Sequence, residues 1–301
     1  MGYAIDGVQV EASAADLNQL VAGANPSGAE DYHVDLNVST SGDGLAWDTP
    51  MATIAEAITA SNISIGLTAN RWWARRNRIF VQGDGITESL TVLPEKTDII
   101  GVGSDLLPFP RVLGNHTIAA LAVGVRFINM GFKTTGTGDL FVIPTACHGL
   151  QFLGCFFEPG TTSTKALEIT SSAHVKIINC DFAIDSGNMS NIFAMCISME
   201  GTTGHNFLIK GNRMTGTAGI QVATAYNGHG SVIDGNIMRV TNLAVDDDSN
   251  KVQVTNNRWM TDINTSTSTD GYDFNIQLAA GNIQMGATGL CDTVPFTKIA
   301  E

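Results

Sequence analysis

The chain has 301 residues, of which 44% are hydrophobic and 15% charged, and its formal net charge is -13 at pH 7. The large apolar content excludes a disordered chain, and the acidic balance argues against nucleic acid as a partner, because phosphate binding depends on Lys and Arg. No stretch reaches the roughly 18 apolar residues of a membrane span, so no membrane partner is expected. The five cysteines lack metal-ligand spacing and are odd in number, which predicts no cofactor and folding in a reducing cytoplasm.

A short helix is predicted near the start of the chain, in the segment EASAADLNQLVAG (11–23). Ser13 is its candidate N-cap, and Asp16 stands where a capping box would place Glu or Gln. Because so short a helix has too little apolar surface to be stable alone, we expect it to dock on another surface. The segment resembles the ATAAELNxLDG motif found near the start of many tailed-phage virion proteins, which implies a role in attachment. The residues that carry the resemblance are Ala12, Ser13, Ala14, Ala15, Asp16, Leu17, Asn18 and Leu20.

A second helix is predicted in MATIAEAI (51–58), where Asp48 or Thr49 would cap the helix and Pro50 would take its first position. Its apolar face would be formed by Ile54, Ala57 and Ile58. We expect this amphipathic helix to cover the open end of a stack of strands, because a bare strand edge would otherwise pair with another chain.

The longer segment VSTSGDGLAWDTPMATIAEAI (38–58) resembles the entry of pectin-lyase-like right-handed parallel β-helix proteins. In that family, Gly-Asp/Asn-Gly precedes Pro-Phe-x-Thr-Ile-x-x-Ala-Ile, and Met51 stands here in the place of Phe. The matching residues are Gly42, Asp43, Gly44, Pro50, Thr53, Ile54, Ala57 and Ile58. The resemblance implies a parallel β-helix of the kind used in phage tailspikes, capsid decorations and polysaccharide lyases.

Six segments between residues 125 and 259 repeat one pattern, in which alternating apolar residues are followed by Gly or Asn and a further apolar residue. The segments are VRFINMGF (125–132), LQFLGCFF (150–157), VKIINCDF (175–182), FLIKGNRM (207–214), SVIDGNIM (231–238) and VQVTNNRW (252–259). Their turn positions are Asn129, Gly154, Asn179, Gly211, Gly235 and Asn256, at spacings of 25, 25, 32, 24 and 21 residues. The alternation predicts strands with one inward face, and Gly or Asn predicts a bend with positive φ. One strand signal in every 20 to 30 residues or so indicates a stacked solenoid.

The repeat and the resemblances together predict an all-β fold, a right-handed single-stranded parallel β-helix of roughly ten coils. The predicted organisation is an N-terminal attachment segment (1–35), a β-helix entry with the capping helix (36–77), the β-helix (78–285) and a C-terminal cap (286–301). A β-sandwich of many short antiparallel strands is the alternative fold. For the C-terminal segment, a strand exchanged with a neighbouring subunit is the alternative to a cap. Looser repeats in the β-helix are RIFVQGDG (78–85), TDIIGVGS (97–104), RVLGNHTI (111–118) and DFNIQLAAGNIQM (273–285).

Carboxylates near the predicted bends are the candidate catalytic residues, because glycoside hydrolysis needs two carboxyl groups at a defined separation. Glu158 and Asp181 are expected to be stacked neighbours on adjacent coils, and Asp185 follows in the same region. The run Asp246–Asp247–Asp248 is the densest acidic group and a candidate cation site. Each has a simpler interpretation, since Asp at a turn usually bonds its own backbone and a run of Asp is usually a solvated loop.

The sequence favours a structural and binding protein of a phage particle over an enzyme. The resemblances imply a homotrimer that projects from the virion surface as a capsid decoration, a head spike or a short tail spike. Its expected partners are copies of itself, another virion protein such as the major capsid protein, and a host surface glycan. The alternative is a tailspike-like depolymerase, a hydrolase or lyase that cleaves a bacterial surface polysaccharide. A bacterial carbohydrate-binding β-helix is a third interpretation.

Overall fold

The computed structural model describes most of the chain between residues 29 and 259, together with five strands outside that region. The described ranges are 29–66, 76–103, 110–119, 121–143, 147–160, 163–184, 187–188, 190–241, 244–249 and 251–259, and the strands are 3–5, 8–10, 272–273, 275–279 and 282–286. Within them the protein is built almost entirely from strands, with one helix, α1 (Ile54–Gly66). No described helix has the length and apolar character needed to cross a membrane.

Two long sheets contain nearly all of the strands, which are numbered along the chain. The ten strands of sheet 1 are, in order, β3 (Asp31–Asp35), β4 (Asn77–Gln82), β6 (Thr97–Gly101), β9 (Arg126–Ile128), β12 (Gln151–Leu153), β15 (Lys176–Ile178), β18 (Leu208–Lys210), β20 (Ser231–Asp234), β23 (Val252–Thr255) and β25 (Tyr272–Asp273). Their number agrees with the roughly ten coils expected from the repeat. Sheet 1 begins earlier than predicted, because β3 lies within the segment assigned to attachment.

Sheet 2 has fifteen strands and two branches that meet at one long strand, β19 (Arg213–Val222). The main path is β5 (Asp84–Thr87), β7 (Arg111–Leu113), β10 (Gly131–Lys133), β13 (Phe156–Glu158), β16 (Asp181–Phe182), β19, β21 (Ile237–Val240), β24 (Arg258–Trp259), β26 (Asn275–Ala279) and β27 (Asn282–Gly286). The side branch is β8 (His116–Thr117), β11 (Phe141–Ile143), β14 (Ser163–Thr170) and β17 (Phe193–Glu200), with β22 (Val245–Asp247) beyond β19. A separate antiparallel pair is formed by β1 (Tyr3–Ile5) and β2 (Val8–Val10).

The chain contributes strands to sheet 1 and sheet 2 in turn. We call the segment that runs from one strand of sheet 1, through its strands in sheet 2, to the next strand of sheet 1 a pass. Neighbouring strands of sheet 1 are parallel throughout, as in β9 and β12, where Phe127 lies opposite Phe152. The prediction of an all-β chain with parallel sheets is therefore confirmed, and the antiparallel sandwich is wrong. The segment 273–285 adds one further parallel repeat, because β25 pairs parallel with β23 and β26 pairs parallel with β24. The regular pattern ends after it, since β27 pairs antiparallel with β26.

The core consists of rows of inward side chains that lie on one another from pass to pass. Phe127 and Phe152 stack with ring centroids 5.1 Å apart and an angle of 8° between the rings. The inward row of sheet 1 contains Tyr32, Ile79, Ile99, Phe127, Phe152, Ile177, Ile209, Ile233 and Val254, all buried. The facing row of sheet 2 contains Val112, Phe132, Phe157, Phe182, Met214 and Met238. Burial of these large side chains, worth about 2 kcal/mol each in transfer free energy, supplies the main driving force for folding.

The predicted bends are present in all six repeats. Asn129, Asn179 and Asn256 each have φ of 54°, and the glycines at the same position have φ between 60° and 66°. A second bend with positive φ precedes six consecutive strands of sheet 1, from β6 to β20, and was not predicted. It is occupied by Lys96, Gly124, Gly149, His174, Asn206 and Gly230.

A buried ladder lies one residue after the first bend, at the position occupied by Met130, Cys155, Cys180, Asn212, Asn236 and Asn257. Asn236 Oδ1 accepts hydrogen bonds from the backbone N (3.0 Å) and the Nδ2 (2.9 Å) of Asn212. Asn236 Nδ2 donates to the carbonyl of Ile209 at 3.0 Å and to Asn257 Oδ1 at 2.8 Å. The amides of Asn212 and Asn236 thus each join three successive passes, as in other stacked-strand structures.

The segment that matches the β-helix entry covers the free edge of β3. The backbone N of His33 donates to the carbonyl of Gly44 (2.7 Å), and the N of Met51 donates to the carbonyl of His33 (2.9 Å). Gly42 leaves no room for a side chain, since a Cβ there would lie 2.4 Å from the carbonyl oxygen of Thr49. Hydrogen bonds from Thr49 and Leu45 lower the pKa of the Asp43 carboxyl below its usual value. The edge strand is therefore protected by this folded segment.

The helix α1 begins later than predicted, after Thr53. The hydroxyl of Thr53 accepts from the N of Glu56 at 3.2 Å, and Glu56 Oε2 accepts from the N of Thr53 at 3.2 Å, which is a capping box. The prediction that Asp48 or Thr49 caps the helix and Pro50 opens it is wrong, because Met51 is paired with β3. The apolar face is confirmed, since Ile54, Ala57 and Ile58 are all buried in the core.

The helix occupies part of the first pass, where it connects β3 to its neighbour β4. In later passes this part of the chain forms strands of sheet 2. The carboxylate of Glu88, directly after the edge strand β5, accepts from the backbone N of Ile54 (3.0 Å) and of Ala55 (2.7 Å). A negative charge at this end of a helix is stabilising, so Glu88 anchors α1 against the edge of sheet 2.

Candidate functional site

The outward face of sheet 2 holds the charged side chains that surround two of the predicted catalytic residues, Glu158 and Asp181. Residues two places after the first bend form an outer row, in which each member lies opposite the next. The row runs Gly131, Phe156, Asp181, Arg213, Ile237 and Arg258. Lys133 and Glu158 lie opposite each other two residues further along their strands. The strands thus bring charges from distant parts of the chain together on one surface.

Glu158 is held between two cations and is closed to solvent. Its carboxylate accepts from Lys133 Nζ at 3.0 Å and from Arg111 Nη1 at 3.3 Å, and its side chain is 1% exposed. Both oxygens are therefore engaged, and a substrate cannot contact them in this structure. A buried carboxylate of this kind depends on its partners, because an unpaired buried charge costs several kcal/mol.

Asp181 lies nearer to solvent on the same face. Burial raises the pKa of its carboxyl, and the charge of Arg213 opposes that rise. Arg213 is the residue directly opposite Asp181 in the next strand. A carboxyl with a raised pKa has the property that a general acid needs.

Glu158 and Asp181 are not stacked neighbours, and that prediction is wrong. The residue opposite Asp181 is Phe156, so Glu158 is displaced from Asp181 by two residues along the strand. The physical reason is the position of each residue relative to its bend, since Glu158 is four residues after Gly154 and Asp181 only two after Asn179. The described residues therefore place one half-buried carboxyl and one closed carboxylate here, rather than a facing pair.

The run Asp246–Asp247–Asp248 is used within the fold. The buried carboxylate of Asp247 accepts from the hydroxyl of Ser249 (2.6 Å), the N of Ser249 (3.1 Å) and the N of Val252 (3.3 Å). Asp246 accepts from Gln221 Nε2 at 3.3 Å, and its pKa is raised by burial and by the neighbouring carboxylates. Among the residues that the structure describes, no three His, Cys, Asp or Glu side chains are grouped as a metal site would need.

Several predicted residues lie outside the described part of the chain. Asp185 is one of them, so its relation to Glu158 stays a prediction. The attachment residues are the others, namely Ala12, Ser13, Ala15, Asp16, Leu17, Asn18 and Leu20. Of the predicted capping residues, Thr53 is the N-cap of the helix, and Ile54, Ala57 and Ile58 form its buried face. Pro50 lies in the entry segment, where its carbonyl accepts from the N of Gly42 at 2.8 Å.

The sequence interpretation missed the two cations that hold Glu158. A signal for one of them exists, because Lys133 and Glu158 are each four residues after a bend, at Asn129 and Gly154. Equal distance from equivalent bends predicts neighbouring side chains, and the register confirms this pair. No matching signal identifies Arg111, whose repeat is irregular.

Comparison of the chain with known proteins found no relative. No family model matches the chain, and neither a curated protein nor a solved structure matches it. Its function is therefore argued from its own sequence and geometry.

Proposed function

We propose that the passes form a right-handed single-stranded parallel β-helix and that the protein is a structural component of a phage virion. In this proposal it is made in the host cytoplasm and assembles as a homotrimer. It projects from the particle surface as a capsid decoration, a head spike or a short tail spike, and it adsorbs to a glycan of the host surface.

The observation that carries the proposal is the parallel register of sheet 1, which continues through ten strands. Ten strands about 4.8 Å apart span roughly 43 Å, so the strands stack into an extended body rather than a compact one. Its first edge strand is covered by the chain itself, which leaves the outer faces of the sheets as the surfaces available for partners. A stack of parallel strands of this length suits a protein that projects from a particle and presents a long surface to the host.

The attachment role rests on the resemblance of residues 11–23 to a virion motif. In the proposal, this segment binds the major capsid protein or another virion protein, and the stacked strands extend away from it. In this arrangement one end of the chain binds the particle, and the long lateral surface of the stacked strands is available to bind the host. The resemblance of residues 38–58 to the entry of a β-helix supports the order of these parts.

Imaging of particles tests this function. Particles made from the genome that encodes this protein should carry it, as detected by mass spectrometry, and should show surface density in cryo-electron micrographs. Deletion of residues 1–30 should remove the density, because the attachment segment is lost. The deleted protein, purified alone, should keep the far-ultraviolet circular dichroism of the full chain as a control. Particles that lack the full-length protein, or density that persists after the deletion, would contradict the proposal.

A glycan depolymerase is the second candidate, and the raised pKa of Asp181 is the observation that favours it. In that case, incubation of the full chain with host capsule or lipopolysaccharide should release new reducing ends or unsaturated uronates. Asp181→Ala should abolish the release, because the candidate acid is lost, while Asp48→Ala, at an exposed site in the entry segment, should retain it. Absence of products with the wild-type protein would contradict the depolymerase activity and favour the structural role.

A further inference from the structure

Three exposed arginines lie together on the outward face of sheet 2, on neighbouring strands. Arg213 and Arg258 lie on either side of Ile237 in the outer row, and Arg239 follows Ile237 by two residues on the same strand. Thr215 lies opposite Arg239 and is half-buried. All three arginines are exposed, and Ile237 is 49% exposed. We call these five residues the arginine patch.

The arginine patch is set apart by its lack of ion pairs. The four other arginines in the described part of the chain each pair with a carboxylate. They are Arg76 and Arg126 with Asp98, Arg78 with Asp31, and Arg111 with Glu158. No described carboxylate lies within ion-pair distance of Arg213, Arg239 or Arg258. Three arginines on one surface that pair with no described carboxylate are unexpected in a chain with a net charge of -13.

Guanidinium groups bind carboxylates with two parallel hydrogen bonds, which makes arginine the preferred residue for recognising such anions. Arg213 and Arg258 are two strands apart, or about 9.6 Å, so they suit anionic groups separated by neutral ones. The exposed side chain of Ile237 between them offers an apolar surface, and the hydroxyl of Thr215 offers a hydrogen bond. Alternation of cation, apolar surface and cation matches a chain of sugar rings that carry carboxylates.

We infer that the arginine patch binds an acidic polysaccharide, one whose carboxylates are spaced along the chain by sugar rings. The inference rests on the proposed adsorption to a host glycan and names the chemical class of that glycan. A nucleic acid fits less well, because it carries a phosphate at every nucleotide, which is a closer spacing of charges than that of Arg213 and Arg258. An acidic protein surface is an outcome that the experiment separates.

Binding to polygalacturonate, measured by isothermal titration calorimetry with the full chain at low salt, tests the inference. The variant Arg213→Gln/Arg239→Gln/Arg258→Gln should bind at least about tenfold more weakly, because it lacks all three guanidinium groups. The matched control is Lys96→Gln/Lys176→Gln/Lys251→Gln, which removes the same number of positive charges from sheet 1 and its approaches. Its affinity should stay within about threefold of the wild type, since these side chains lie away from the patch. Binding should also weaken as NaCl rises from about 50 to about 300 mM.

Three results would overturn the inference: no binding of polygalacturonate by the wild-type protein, equal loss in both triple variants, or no loss in either. Binding of polyglutamate without binding of polygalacturonate would identify an acidic protein surface instead and would also overturn it. Neutral dextran should not bind, since it carries no anionic group. The proposed virion role is tested independently of this inference, because the surface density on particles depends on residues 1–30 and not on these arginines.

Discussion

Asn236→Leu is expected to lower the free energy of unfolding by about 4 kcal/mol, one of the largest effects of any single substitution in this chain. The leucine side chain would leave the backbone N of Asn212 without its acceptor in the core. The side chains of Asn212 and Asn257 would each lose one further hydrogen bond. Each buried polar group left unpaired costs about 1–3 kcal/mol, and the carbonyl of Ile209 also loses a donor. Urea unfolding followed by intrinsic fluorescence would measure the change.

Cys155→Ala is the matched control, because Cys155 occupies the same ladder position in an earlier pass. Its sulfur lies 3.4 Å from the carbonyl of Phe127, and a thiol is a weak donor, so the loss should be only about 1–2 kcal/mol. A cost for Asn236→Leu no greater than that of Cys155→Ala would show that the amide ladder adds little to stability. Both positions are fully buried, so the difference reports hydrogen bonding rather than burial.

Acid is expected to destabilise the protein through His116, which is fully buried beside Phe141 at a ring-centroid distance of 4.4 Å. Its Nδ1 accepts from the backbone N of Leu90 at 3.0 Å, so the neutral ring carries its hydrogen on Nε2. That N–H has no hydrogen-bond acceptor among the described residues and points into the aromatic core. Burial lowers the pKa of His116 from 6.5 to about 3, because the apolar surroundings disfavour the charged form.

The sign of the effect follows from proton binding. Between pH 6.5 and about 3 the unfolded chain binds a proton at His116 and the folded chain does not, so stability falls as the pH falls. The contribution reaches about 3 kcal/mol at pH 4, at about 1.4 kcal/mol per pH unit. We expect His116→Phe to lose that much less stability than the wild type between pH 7 and pH 4, as measured by urea unfolding at each pH. Parallel curves for the wild type and His116→Phe would contradict the assignment.

The bends and the inward rows could be predicted from the sequence because their causes are local. Asn or Gly at the bend tolerates a positive φ, and alternation places apolar side chains on one face of each strand. Both signals are contained in about eight residues, so each repeat reports them independently. The second bend was missed because His174 and Asn206 stand there beside glycines, and the mixture shows no constant residue.

The start of the helix and the arrangement of the carboxylates could not be predicted in the same way. The helix starts at Ile54 because Met51 pairs with β3, a contact between residues that the local sequence does not connect. The expected stacking of Glu158 on Asp181 failed because the two residues lie at different distances from their bends. Counting from Gly211, Gly235 and Asn256 places Arg213, Ile237 and Arg258 in one row, so the arginine patch could have been recognised from the sequence.

The direction of the hydrogen bonds between passes has a mechanical consequence. Within each sheet these bonds join one pass to the next, whereas the covalent backbone runs across that direction. Tension between the two ends of the stack would therefore load the hydrogen bonds in series, and the chain would peel away one turn at a time. Each turn released would add the slack of 21 to 32 residues, which is roughly 70–110 Å of extended chain. A force along the strands would instead load all the hydrogen bonds between two passes at once, in parallel, so this protein should resist shear far better than stretching.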